Sequence, residues 1–293
     1  MKRVRDWWAN PWGQPRTLVA VTWLYMVWSI VPVCIAILFS FNDGRSRSVW
    51  QGFSTRWYWG DPDQSVLHDP ALRGALEQSL KLAGLDMLIA TPLGVMLAIG
   101  LARWRGPASG PSNFLMLFPL VTPEIVSGVA LYLVILYLFT FIEPGTIAQV
   151  MGHVTFSLSY VVVIVRGRLF SIGRQYEEAA ADLGATPWET LRLVLLPLLM
   201  PAIFSSLMIV FAISIDDFVI SQWLSCGAGC DTIPIRIYGA TRAAPLPSVN
   251  ALAALMVYFT LAALGLAYLL FRFMTRGERP GQGGHMVHGM GGL

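Results

Sequence analysis

The sequence predicts an all-α, polytopic membrane protein with six transmembrane helices. Of its 293 residues, 55% are apolar and only 13% are charged, and the mean hydropathy is +0.60. Soluble proteins carry about 25% charged residues, so about half of the usual charge is missing. The apolar residues form long uninterrupted stretches, which is typical of chains that lie in a bilayer. The net charge of +3 is spread over short basic clusters, so we expect no nucleic-acid partner and take membrane lipid as the surroundings.

Six stretches reach or approach the length of about 20 apolar residues that a spanning helix needs. They cover residues 17–41, 79–102, 114–141, 151–170, 202–223 and 249–273. Because backbone groups in lipid must satisfy their own hydrogen bonds, we interpret all six as helices and expect no sheet. Pro119 and Pro123 interrupt the third stretch, which predicts a kinked or broken helix.

The basic residues predict that both termini are cytoplasmic. Most of the 20 Lys and Arg residues fall on the inner side when the N-terminus is placed inside, as the positive-inside rule requires. This orientation gives a cytoplasmic N-terminal segment over residues 1–16 and a transmembrane domain over residues 17–275. Residues 276–293 form a Gly-rich cytoplasmic tail, which we expect to be disordered because it lacks apolar periodicity.

The loop over residues 171–201, between the fourth and fifth stretches, has the pattern of two short helices with a break. Gly184 stands where a helix end needs a residue that tolerates the left-handed conformation. Thr186, Pro187 and Glu189 then fit the N-cap, N1 and N3 positions of a capping box. The pattern predicts a rigid helical hairpin rather than a passive loop.

The same loop carries a family resemblance. Glu178-Ala179-Ala180, three residues, Gly184, nine residues, Val194, one residue and Leu196-Pro197 resemble the EAA-x3-G-x9-I-x-LP signature of the permease subunits of binding-protein-dependent ABC importers, with Val in place of Ile. The resemblance implies a type I permease fold with a cytoplasmic coupling-helix hairpin between helices four and five. The residues it implies in ATPase coupling are Glu178, Ala179, Ala180, Asp182, Gly184, Ala185, Thr186, Pro187, Glu189, Leu196 and Pro197.

The resemblance also implies partners and a location. They are two copies of a cytoplasmic ATPase, a second homologous permease subunit and an extracytoplasmic solute-binding protein. The expected location is the bacterial cytoplasmic (inner) membrane. No cofactor is expected on this chain, because it has no GxxxxGK[ST] phosphate loop, so ATP-Mg belongs to the partner ATPase. Neither an HExxH metal site nor a GxSxG nucleophile motif is present, so we expect no enzyme activity and no metal.

Further stretches resemble the spermidine/putrescine importer permeases of the second-permease type. They are Trp50-x-Gly52-Phe53-Ser54, Trp57-Tyr58, Pro123-Glu124-Ile125-Val126, His153-Val154-Thr155-Phe156, Ser214-x-Asp216-Asp217 and Val249-Asn250-Ala251-Leu252-Ala253. The resemblance implies inward transport of a polyamine by alternating access. Another small organic solute is the alternative, since relatives in this branch carry several. An autonomous transporter driven by an ion gradient is a further alternative, which the coupling signature disfavours.

Four carboxylates are candidates for the substrate path. Asp216 and Asp217 lie near the outer end of the predicted fifth helix, and Asp86 falls at a similar depth in the second. Carboxylates in a water-accessible cavity would offset the desolvation of ammonium groups, but these side chains could equally hold the helices together. For Asp86 we favour the structural role. Glu124, beside the proline break, lines the path or satisfies backbone groups that the break frees.

Two further groups of residues are expected outside the membrane. Trp50, Trp57 and Tyr58 belong to an aromatic cluster that we interpret as interfacial anchors, with cation–π or binding-protein contact as the alternatives. Cys226 and Cys230 are separated by Gly-Ala-Gly in an outer loop, where a disulfide can form, and the sequence leaves bridged and free states open. For His153, at the predicted start of the fourth helix, we expect a structural hydrogen bond.

Overall fold

A computed structural model describes residues 16–46, 49–104, 106–242 and 247–275. The helices are α1 Arg16–Phe39, α2 Pro70–Arg103, α3 Ser109–Val121, α4 Glu124–Tyr137, α5 Thr146–Ile172, α6 Gln175–Asp182, α7 Pro187–Glu189, α8 Leu196–Asp216, α9 Val219–Trp223, α10 Ile233–Arg242 and α11 Pro247–Thr275. Two π-helical turns lie at Arg56–Gly60 and Thr190–Leu195. These ranges contain no β-strand, only an isolated antiparallel bridge between Asn42 and Phe53, so the all-α prediction is confirmed. The terminal segments 1–15 and 276–293 lie outside the described residues.

Five helices are long and apolar enough to cross a membrane, and the pair α3 and α4 supplies a sixth span. The two helices of the pair bend by 110° at Thr122 and Pro123, as the prolines predicted. The two helices contact α5 at successive positions along its length. The Arg166 guanidinium donates to Asn113 Oδ1 at 2.7 Å near one end of α5, and the space beside Gly152, near the other end, contains Leu131. The pair therefore crosses as one broken helix rather than turning back.

The fifth span differs from its predicted limits of 202–223. Its helix begins at Pro187, continues through the π-helical turn into α8 and ends at Asp216. Asp217 is extended, with φ −66° and ψ 122°, and α9 follows as a separate short helix. Pro197 and Pro201 lie inside this helix, since prolines are tolerated in membrane helices, where neighbouring helices satisfy the freed backbone groups. The second helix of the predicted coupling hairpin is therefore continuous with the fifth span, and the predicted span was wrong at both ends.

The centre of the bundle is formed by α2, α5 and α8, which pack against one another. Ala90, Val161 and Leu199 are fully buried there. A Cβ atom on Gly94 would lie 2.6 Å from two atoms of the Val161 side chain, so the close approach of α2 to α5 requires glycine at this position. By contrast, the membrane-spanning window of α1 has no buried residue, and the helix packs only along α11 within the described residues.

A second apolar cluster lies at the end of the bundle that holds the loops over residues 40–69 and 224–232, here called the predicted outer end. It contains Trp57, Val66, Leu72, Ile233 and Leu252, which come from four separate segments of the chain. The predicted coupling hairpin of α6 and α7 lies at the opposite end, the predicted inner end. The fold therefore places the predicted coupling residues and the predicted outer aromatic residues at opposite ends of the helix bundle.

Candidate functional site

The break after α8 is built around the carboxylate of Asp217. Its two oxygens accept hydrogen bonds from the backbone N–H of Ser221 at 2.7 Å and from that of Ile220 at 3.4 Å. These N–H groups belong to the first turn of α9, where no earlier residue of the helix can accept from them. Asp217 therefore fixes the direction in which the chain leaves the fifth span, and its carboxylate has a structural role.

His153 joins α5 to both sides of this break. Its Nδ1 atom lies 2.7 Å from Ser214 Oγ and its Nε2 atom lies 2.9 Å from Ser221 Oγ. The Nε2 atom also lies 3.3 Å from Asp217 Oδ2. The ring is only 2% exposed. The helix starts at Thr146, so His153 lies two turns inside α5 rather than at its beginning, where the sequence analysis had placed it.

Asp86 lies next to this network from the side of α2. Its side chain is fully buried, and Oδ2 accepts a hydrogen bond from Ser157 Oγ at 2.7 Å. Ser157 is one helical turn after His153 on α5. Oδ1 of Asp86 has no hydrogen-bond partner among the described residues. Asp86 is closed off from any open path in this conformation.

Asp216 and Glu124 are the two predicted path carboxylates that reach the surface of the chain. Asp216 is the last residue of α8, and Glu124 is the first residue of α4, directly after the Pro123 break. Both side chains are exposed, and within the described ranges neither makes a hydrogen bond or an ion pair. Within the described residues the Glu124 side chain therefore satisfies no backbone group that the break frees. The two breaks therefore each expose a carboxylate.

The predicted coupling hairpin has the local structure that its sequence predicts. Gly184 has φ +83°, and Thr186 and Glu189 form a capping box in which Thr186 N donates to Glu189 Oε2 at 2.8 Å and Glu189 N donates to Thr186 Oγ1 at 3.3 Å. Two bulky apolar residues on either side of the break project from the bundle. Leu183 is 90% exposed and Trp188 is 67% exposed.

Most of the predicted coupling residues lie on the surface. The exposed ones are Glu178, Ala179, Asp182, Gly184, Thr186, Pro187, Glu189 and Pro197, while Ala185 and Leu196 are half-buried. Ala180 is buried, so this alanine packs within the chain itself. Sequence reasoning missed Leu183 and Trp188, although two large apolar residues beside a polar turn are a usable signal. It also missed an ion pair between Arg103, at the end of α2, and Glu177 on α6.

The predicted aromatic cluster at the outer end divides into two groups. Trp57 is fully buried and donates from Nε1 to Asn42 O at 2.6 Å, and the Tyr58 hydroxyl is 2.7 Å from Ser40 Oγ. Burial raises the pKa of Tyr58 to about 12, so this hydroxyl stays neutral. The prediction that these two residues are surface anchors or ligand contacts is wrong, because the loop folds back over them. Trp50 remains 43% exposed.

The cysteine loop at the outer end is closed and attached to α5. Cys226 and Cys230 form a disulfide, with their Cα atoms 5.5 Å apart. Gln149 Nε2 donates to the carbonyl oxygens of Cys230 and Ser221, each at 3.0 Å. The Gln149 side chain therefore bonds both the cysteine loop and α9. No group of three or more His, Cys, Asp or Glu side chains suited to a metal ion occurs in the described part of the chain.

Comparison with known proteins gives close relatives along almost the whole chain. The putrescine transport system permease protein PotI of Escherichia coli (strain K12) is 34% identical over 276 residues, which cover 92% of this chain and 93% of that protein. The spermidine/putrescine transport system permease protein PotC of the same strain is 32% identical over 85% of this chain and 91% of that protein. PotC of Haemophilus influenzae is 34% identical over 83% of this chain and 91% of that protein.

Solved structures share the fold. A chain of a bacterial ABC transporter involved in the import of the acidic polysaccharide alginate superposes with a TM-score of 0.68, 16% identity and coverage of 94% of this chain and 97% of that one. A chain of an amino acid ABC transporter has a TM-score of 0.55 at 22% identity, with coverage of 71% and 95%. The model of the family described as "Binding-protein-dependent transport system inner membrane component" matches residues 90–277. The chain belongs to this family of inner-membrane permeases, as its relatives along the whole sequence also show.

Proposed function

We propose that this chain is the permease subunit of an ATP-driven importer that moves a polyamine inward by alternating access. The observation that carries the proposal is its relationship to permeases named for putrescine and spermidine transport, which extends over 92% of the chain. The exposed carboxylates at the two helix breaks support a cationic solute, because a carboxylate in a wet cavity offsets the desolvation of an ammonium group.

Asp216 is the residue that we assign to substrate contact. Its neighbour Asp217 is engaged by His153 and by the N–H groups of α9, so it has little capacity left for a solute. Asp216 lies at the same break, is exposed, and has no hydrogen bond or ion pair within the described residues. Glu124 has the same properties at the break between α3 and α4. A diammonium solute could contact one carboxylate at each break as it crosses.

The coupling hairpin is assigned to the ATPase contact. A capped hairpin that continues as a helix into the fifth span can transmit a displacement that an unstructured loop would absorb. Leu183 and Trp188 offer apolar surface for a groove on the ATPase. Two ATPase copies would bind ATP-Mg, a second permease would complete the path, and a solute-binding protein would deliver the substrate at the outer end. In this arrangement both termini are cytoplasmic.

The experiment is uptake of labelled putrescine and spermidine by liposomes that contain the complex with its ATPase and second permease, supplied with the binding protein. Accumulation should require internal ATP and should continue when an ionophore dissipates ion gradients. Asp216→Asn should lower uptake about tenfold, since a hydrogen bond to a charged group contributes about 1.5 kcal/mol or more. Uptake that an ionophore abolishes and that needs no ATP would contradict the proposal.

A further inference from the structure

The coupling hairpin makes an ion pair with the bundle, and neither residue of this pair belongs to the family signature. Arg103 Nη2 donates to Glu177 Oε1, which joins the last turn of α2 to the first turn of α6. The side chains are only 27% and 24% exposed. Partial burial removes much of the screening that makes surface ion pairs weak, and an uncompensated charge here would be costly. This contact joins two elements that are 74 residues apart in sequence.

The ion pair restrains a helix whose own backbone connection is loose. Only Gly173 and Arg174 separate α5 from α6, and Gly173 has φ +75°. Such a glycine connection allows the following helix to change direction at low cost. Within the described residues, α6 packs on the π-helical turn Thr190–Leu195 and buries Ala180, and the pair with Arg103 joins it to α2. At its other end the hairpin is continuous with the fifth span.

The helix that carries Arg103 also carries the buried carboxylate of the polar network. Asp86 is 17 residues earlier on α2, about 26 Å along the helix axis. Its Oδ2 accepts from Ser157 on α5, and α2 packs along both α5 and α8. Further toward the outer end, Ser79 Oγ accepts from the N–H of Ile233, the first residue of α10. A tilt or shift of α2 would therefore displace the residues that it bonds, both in the network around His153 and in the outer loops.

We propose that the Arg103–Glu177 ion pair is a second mechanical connection, through which movement of the coupling hairpin reaches α2 independently of the fifth span. This inference rests on the proposed function of the hairpin. Arg103 and Glu177 are positioning residues: they contact neither solute nor nucleotide. Without the pair, α6 can follow the ATPase while α2 stays behind, so ATP would be hydrolysed with little transport.

Charge reversal tests the proposal. Arg103→Glu and Glu177→Arg place like charges together, and the double variant restores an ion pair of opposite direction. Glu177→Gln removes the charge without repulsion and guards against loss of folding. The matched control is the pair Arg73–Glu77 on the same helix, where both side chains are more than half exposed, so reversal should have no effect. Each variant is assembled with the ATPase and second permease, and solute uptake per ATP hydrolysed is measured in liposomes with the loaded binding protein.

The single variants and Glu177→Gln should retain the ATPase on purification but lose about fivefold or more of the uptake per ATP, the lower range of a coupling free energy between sites. The double variant should return to within about twofold of the original chain. Uptake per ATP that is unchanged in the single variants, or a loss that the double variant does not restore, would overturn the inference. If the unmodified chain fails to retain an ATPase, the proposed function fails instead.

Discussion

The Nε2 atom of His153 lies 3.3 Å from Oδ2 of Asp217, and this contact joins α5 to the residue that directly follows the fifth span. The same ring holds Ser214 before the break and Ser221 after it. One buried side chain thus fixes the positions of α8 and α9 relative to α5. The exposed Asp216 is adjacent to this fixed point, so its position follows from a network in which it takes no part.

Replacing His153 with alanine should destabilise the protein. The change leaves buried groups of Ser214 and Ser221 without their partner, at about 1–3 kcal/mol for each unsatisfied group. Thermal unfolding of the purified chain in detergent measures the effect. His68→Ala is the comparison: among the described residues this exposed ring bonds a single side chain, Ser65, so its loss should cost less than the loss of His153. Equal shifts for the two variants would mean that the His153 network does not hold the break.

Gly152→Ala should also lower stability. A Cβ atom at this position would lie 2.6 Å from Ile220 Cγ2 and from Leu224 Cδ1, and both side chains are buried, so they cannot move aside. Overpacking of this kind costs about 1–3 kcal/mol. Gly167→Ala, on the same helix with no atom within 4 Å of its added methyl group, should be neutral or stabilising. The packing of α9 on α5 is misassigned if Gly152→Ala unfolds at the same temperature as Gly167→Ala.

The sequence was sufficient for the parts of the fold that depend on local chemistry. Apolar length predicted the spans apart from the limits of the fifth, Pro119 and Pro123 predicted the broken helix, and the spacing of Gly184, Thr186 and Glu189 predicted the capped hairpin. Each of these features is decided by residues that are close together in the chain.

The break at Asp217 could not be predicted in this way. The stretch over residues 202–223 is long enough for one span in spite of Asp216 and Asp217, and His153, which bonds residues on both sides of the break, lies more than sixty residues earlier. The burial of Trp57 and Tyr58 likewise depends on Asn42 and Ser40, which the isolated bridge and the first outer loop bring to them. Long-range partners of this kind leave no periodicity in the sequence. They also separate Asp217, whose carboxylate is hydrogen-bonded, from Asp216, which is exposed and makes no hydrogen bond within the described residues.

The buried carboxylate of Asp86 should tolerate neutralisation. In Asp86→Asn the amide oxygen can still accept from Ser157, and the change removes a charge whose Oδ1 has no partner among the described residues. Unfolding temperature should therefore stay the same or rise. Asp217→Asn should behave differently, because the two carboxylate oxygens accept from the N–H groups of Ile220 and Ser221, and an amide NH2 in place of either oxygen cannot accept that bond. If Asp86→Asn destabilises the chain more than Asp217→Asn does, the charge of Asp86 stabilises the fold and its carboxylate does more than accept from Ser157.

The three cysteines should divide into one free thiol and one disulfide. Cys34 is exposed on α1, whereas Cys226 and Cys230 are joined, so alkylation of the denatured, unreduced chain should label one thiol and alkylation after reduction should label three. Mass spectrometry counts the labels, and in Cys34→Ser the number of labels without reductant should fall to zero.

The disulfide closes a very short loop, so its removal should cost less than the roughly 3 kcal/mol expected for a 15-residue loop. Gln149 bonds the carbonyl of Cys230, so the disulfide loop is attached to α5. We expect reduction to lower the hydrogen-exchange protection of residues 224–232 and to leave the protection of the α2, α5 and α8 core unchanged. Three labels without reductant would contradict the bridge, and loss of protection in the core would show that the disulfide supports more than its own loop.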